Sequence, residues 1–125
     1  MRKTIILALL VSISIPSYAA PPGTAQNFLD RANRLKAKGP LAFFDSDYGR
    51  LKTEATAVGK AIGDDRIAAE RAHKPILYCS PDARAQLGSF EFLDGLEAIP
   101  PAERANMSLK DAMIRVLQKK YPCRR

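Results

Sequence analysis

Histidine and cysteine are nearly missing from this chain. His73 is its one histidine, and Cys79 and Cys123 are its only cysteines. Two thiols and one distant imidazole fall short of the four ligands of a structural zinc. No serine or cysteine nucleophile is visibly paired with His73, so a histidine just ahead of Pro75 reads as a polar turn residue and not as a general base. The chain has no glycine-rich phosphate loop, no internal repeat, no low-complexity tract and no alternating strand pattern. These absences set aside enzyme, metal and cofactor readings: no cofactor is implied, and a binding role is expected.

Long apolar runs are also scarce. The one that exists, residues 5–15, follows Arg2-Lys3 and ends at Pro16. It is too short for a membrane span, which needs about 20 apolar residues. Ser17-Tyr18-Ala19-Ala20 then supplies small residues for a peptidase. This is the three-part pattern of a secretory signal peptide. Cleavage is expected after Ala19, because a cut after Ala20 would put bulky Tyr18 three positions back and Pro21 just beyond the bond. Residues 1–19 are therefore read as the signal peptide and residues 20–125 as one helical domain, exported to the periplasm and not inserted in the membrane. An uncleaved anchor is the competing reading.

Export gives the cysteines an oxidising setting. Only one intramolecular pair is possible, Cys79 with Cys123, and an intermolecular bond is the main alternative. A loop of that span, closed by a disulfide, is worth roughly 4 kcal/mol in the chain-entropy account. The chain carries a net charge of +7. Export removes nucleic acid as a partner. Anionic envelope surfaces or acidic protein patches remain, beside the plainer reading of a solvated basic surface.

Helical spacing dominates the rest. Thr24 can cap a first helix with Phe28, Leu29, Ala32 and Leu35 on one face, stopped by Gly39-Pro40. Leu41-Ala42-Phe43-Phe44 is expected to pack across the core as one helical turn, with a surface patch for a partner as the alternative reading. Asp45-Ser46-Asp47 is read as a cap, not as a catalytic carboxylate pair. The second helix carries Tyr48, Leu51, Ala55, Val58 and Ile62 as a core stripe, is weakened or bent at Gly63-Asp64-Asp65, and resumes to about Ala72. Residues 76–78 deliver Cys79 to the core, and a single helical turn is possible through Gln86. Ser89 caps a helix bearing Phe92, Leu93, Leu96 and Ile99, ended by Pro100-Pro101. Glu103 and Arg104 follow in a turn, free to pair with each other or with a neighbouring helix. Ser108 caps the last helix, with Leu109, Ala112, Met113, Val116 and Leu117 inward, and Tyr121 is expected as a core plug. The fold class is all-α: a small disulfide-tied domain of about four to five helices.

Cys79-Ser80-Pro81, the helix with Phe92 and Leu96, Ile99-Pro100-Pro101, Arg104 and the closing Tyr121-Pro122-Cys123 together resemble the Tai family. These are small exported helical immunity proteins against type VI secretion amidase effectors, with their resistance-associated relatives. The resemblance covers about the last 45 residues. It implies Cys79 and Cys123 as a structural pair, and a periplasmic protein that binds and neutralises a peptidoglycan-amidase toxin without catalysis. A periplasmic chaperone or envelope-stress protein, with residues 41–44 as its client surface, is the alternative. An exposed helix face would also permit a homodimer. The stretch from Tyr78 to Cys123 is read as a self-contained, disulfide-clamped helical hairpin on which the first two helices pack.

Overall fold

The computed structural model describes residues 19–82 and 84–124. The signal peptide expected at residues 1–19 lies outside them, apart from Ala19. The order is α1 (Ala25–Ala37), a 3₁₀ turn (Gly39–Phe44), α2 (Ser46–Arg71), α3 (Ser89–Glu97), α4 (Pro101–Arg104) and α5 (Leu109–Lys120). The domain is all-α, and no helix among the described residues is long and apolar enough to cross a membrane.

Three helix starts follow from their caps. The Thr24 and Ser108 hydroxyls accept from the N–H groups of Asn27 and Asp111. Asp45 accepts from the N–H of Asp47 at 2.8 Å. Each side-chain oxygen satisfies a backbone donor that the first helical turn leaves orphaned. The fourth start differs from expectation: Gly88, not Ser89, caps α3, and its N–H donates to the Glu91 carboxylate at 3.3 Å. The caps of α1 and α5 also hold each other. Ala25 N–H donates to Met107 O and Leu109 N–H to Gly23 O, so the two helices enter side by side.

Helix α2 is not interrupted at Gly63-Asp64-Asp65; it runs unbroken for 26 residues. A glycine inside a helix costs about 1 kcal/mol. Here ion pairs of Lys60 with Asp64 and Arg66 with Glu70 sit on either side of it. Lys110 of α5 reaches Asp65, and Ile62 is buried beside the glycine. These contacts offset that cost. Residues 84–88 and Pro81 and Asp82 form no helical turn.

The core joins Phe28, Leu29 and Leu35 of α1 to Phe92 and Leu96 of α3 and to Leu109, Met113 and Leu117 of α5. Phe28 meets Phe92 with ring centroids 5.7 Å apart. The hairpin of α3 and α5 is therefore not self-contained: α1 supplies part of its interior. Gly95 sets how closely α3 approaches α5, because a Cβ there would lie 2.7 Å from Val116 Cγ1.

Cys79 and Cys123 are joined, with Cα atoms 4.9 Å apart. The bond lies at the surface and not in the core, since both cysteines are exposed. The buried neighbours are Tyr78 and Ser80. Alternation along an extended segment turns residues 78 and 80 inward and leaves 79 outward. Tyr121 is only half-buried, with its hydroxyl donating to Gln86 O at 3.0 Å.

Candidate functional site

The 3₁₀ turn departs furthest from expectation. Leu41, Phe43 and Phe44 do not cross the core; they are 70%, 69% and 90% exposed. The geometry explains it. Gly39, at a φ of 58°, ends α1 in a left-handed conformation that suits glycine, and Pro40 starts the tighter turn. Side chains three apart eclipse in a 3₁₀ helix, so Leu41 and Phe44 share one outward face. Ala42 is the residue of the turn that packs against the core. Phe43 rests edge-on against Tyr48, with centroids 5.3 Å apart.

Gly39, Pro40, Ala42 and Phe43 of this turn line an apolar groove of about 1270 Å³. Phe28, Ala32 and Leu35 of α1 line it, together with Met113 and Leu117 of α5. Its walls are the Leu51–Ala55–Gly59 side of α2 and, opposite, Phe90 and Leu93 of α3. Tyr78, Arg84 and Leu87 also line it. The stripe of α2 thus does two jobs. Leu51 and Ile62 are buried, whereas Tyr48 is exposed and Ala55 only half-buried. Phe90 stands 75% exposed beside the opening.

The electrostatics of the groove are one-sided. Lys36, Lys52, Lys60 and Arg84 line it, with Asp64 as the acidic residue among them. Lys60 donates to Asp64 at 2.6 Å, and that hydrogen bond holds the Asp64 carboxyl below the usual range. Beyond the turn, Arg31 bridges Asp47 at 3.0 Å and Glu54 at 2.7 Å. The Arg31 hydrogen bond lowers the Asp47 pKa, and Asp47 in return raises that of Arg31. Asp45 is lowered first by its bond from Lys38 and then by the Asp47 N–H. Asp45 is thus a helix cap and Asp47 an arginine partner.

His73 sits at the C-terminal end of α2 with φ 53°, exposed, as a turn residue. Among the described residues no cluster of three His, Cys, Asp or Glu side chains is placed to hold a metal.

Arg104 reaches a neighbouring helix, one of the two pairings expected for it, but the bonds that it and Arg66 make to backbone carbonyls were not read from the sequence. Arg104 Nη1 donates to the carbonyls of Leu96, Glu97 and Ile99 at 3.0, 2.9 and 2.8 Å, and Nε donates to Gln26 Oε1 at 2.9 Å. The signal lay in Pro100-Pro101. A helix would satisfy the carbonyls of residues 96 and 97 with the N–H groups of 100 and 101, and proline has none. Glu103 pairs instead with Arg115. Arg66 plays the matching part beside the disulfide. It donates to Ser80 O at 3.1 Å and to the Ser80 hydroxyl, and lies 5.1 Å from the Tyr78 ring centroid.

No protein-family model matches the chain, and no match was found among curated proteins or solved structures.

Proposed function

We propose that this chain is a periplasmic immunity-type protein that binds and neutralises a peptidoglycan-amidase toxin of the type VI secretion kind. The observation that carries the reading is a set of exposed apolar side chains, Leu41, Phe43 and Phe44 on the 3₁₀ turn and Phe90 on α3, of which Phe43 and Phe90 line the groove. Exposed apolar patches of this kind mark docking surfaces for other proteins. The pattern from Cys79 through Pro100-Pro101 and Arg104 to Tyr121-Pro122-Cys123 supports the choice of partner, and the 1–19 leader pattern supports the compartment. Activity is then stoichiometric occlusion of the toxin's cleft. A scaffold closed by a disulfide lowers the ordering cost of binding.

Deleting the gene should sensitise cells to a competitor that delivers such an amidase. Wild-type protein should restore resistance, and Phe44→Asp, altering a side chain that packs against little, should not. Full resistance of the deletion strain to every amidase challenge would sink the proposal. The same open apolar face favours a second reading, a periplasmic chaperone. In that case the purified protein would suppress aggregation of unrelated clients, which a dedicated toxin inhibitor would not do.

A further inference from the structure

We infer that the groove between α2 and α3 receives one acidic amphipathic helix of a partner protein, seated as the missing helix of the bundle. The inference deepens the reading of this face as a protein-docking surface and rests on it.

Size comes first. From Tyr48 to Ile67, α2 borders the groove. At a rise of about 1.5 Å per residue that is roughly 28 Å. The groove holds about 1270 Å³. Drug-sized ligands occupy about 300–1,000 Å³ and are wrapped on most sides. This groove is a trough with an open top, lined by α1 and α5 and flanked by α2 and α3. Ala32, Ala55 and Gly59 keep it deep. Among the described residues there is no strand whose edge an extended peptide would join. Docking of an apolar helical face into such a trough is a recurring mode of recognition.

Charge decides the partner's chemistry. Lys36, Lys52 and Arg84 line the groove and make no ion pair among the described residues. A helix with apolar residues at steps of three and four, and carboxylates along the borders of that stripe, would meet apolar walls and these cations together. A basic helix would meet the same cations as like charges.

Gly59 offers a clean test. A Cβ there meets only Met113 Sδ, at 3.8 Å, which is ordinary contact. Gly59→Leu therefore fills the groove, and removing a mid-helix glycine favours α2. A displayed library of random peptides, each roughly 20 residues to match the groove, is selected against the full chain. The enriched peptides are expected to be acidic, with apolar residues at helical spacing. The best of them should bind at least tenfold more weakly to Gly59→Leu, with the melting temperature not lowered, and more weakly at high salt. Enrichment of nothing, of basic peptides, or of peptides indifferent to Gly59→Leu overturns the inference. So does self-association abolished by Gly59→Leu, or saturable uptake of oleate in preference to every peptide. Failure here while deletion still sensitises cells leaves the immunity reading standing and removes only the helix. Absence of sensitisation with peptide binding intact does the reverse.

Discussion

The two ends of α3 are finished in opposite ways. At its C-terminal end the carbonyls of Leu96, Glu97 and Ile99 are all satisfied. Two prolines remove the N–H donors that the carbonyls of Leu96 and Glu97 would have used, and the buried guanidinium of Arg104 replaces them. The same arginine reaches across to Gln26 of α1. At the N-terminal end, Phe90 stands in water beside the groove. A chain able to bury an arginine to satisfy three carbonyls, yet leaving Phe44, Phe43 and Phe90 exposed, has not simply run short of core. Phe43 and Phe90 both line the groove, the face proposed above for a partner.

The comparison can be broken hardest at the disulfide. Replacing both cysteines with serine should cost roughly 4 kcal/mol in urea unfolding, the entropy of opening a loop of 44 residues. Because both cysteines are exposed and neither lines the groove, material that remains folded should still bind the partner proposed above. A loss well under 1 kcal/mol would mean that the arginine clamps alone hold segment 78–82 and the C-terminus.

Arg104→Ala comes next. It strands the carbonyls of Glu97 and Ile99, while that of Leu96 keeps the Ile99 N–H; an unsatisfied carbonyl costs about 1–3 kcal/mol when buried, so a loss of about 3 kcal/mol is expected, with Arg104→Lys recovering part of it. Phe44→Ser at the open side should change stability by less than about 0.5 kcal/mol, the usual range for surface substitutions. Equal costs at Arg104 and Phe44 would erase the distinction between a covered end and an open one.

Much of the covered side was legible in the sequence. Periodicity placed Phe92, Leu96 and Ile99, and the α5 stripe from Leu109 to Leu117, in the interior, where they lie. Ser108 and Thr24 announced their helices because capping is local chemistry. What was not legible depended on long-range geometry or on turn type. Residues 41–44 are as apolar as any core segment, and only the eclipsed 3₁₀ geometry turns Leu41 and Phe44 outward. The α2 stripe has helical spacing, but spacing does not say whether the face meets a neighbour or a trough. Gly63-Asp64-Asp65 read as a weakening or bend, yet α2 runs unbroken through it, with residues around the glycine making contacts that include one from Lys110 of a distant helix. Arg104 was the missed inference of most consequence, since the prolines four residues after Leu96 and Glu97 already demanded a donor.

The smallest effect separates the two sides by pH. Asp45, Asp47, Asp64 and Glu91 all have carboxyls held below their ordinary range by cationic partners, Lys38, Arg31, Lys60 and Lys120 respectively. Asp45 and Asp47 lie at the start of α2, beside the exposed turn; Asp64 lines the groove, and Glu91 follows Phe90. A lowered folded-state pKa means that the unfolded chain takes up protons first as pH falls. The contribution of these pairs is therefore fully present above the ordinary carboxylate range. It fades within that range and is gone once pH falls through the depressed folded values. The urea midpoint should stay flat from neutral pH down to about pH 5 and decline below about pH 4, less steeply in high salt because exposed pairs are screened. Arg104 bonds only to carbonyls and an amide, so it has no carboxylate to lose. The cost of Arg104→Ala should accordingly be the same at pH 7 and pH 4, while the wild-type decline is carried by the open side. A pH-dependent Arg104 cost would show that acid reaches the covered end as well, and that the two ends of α3 are not independent.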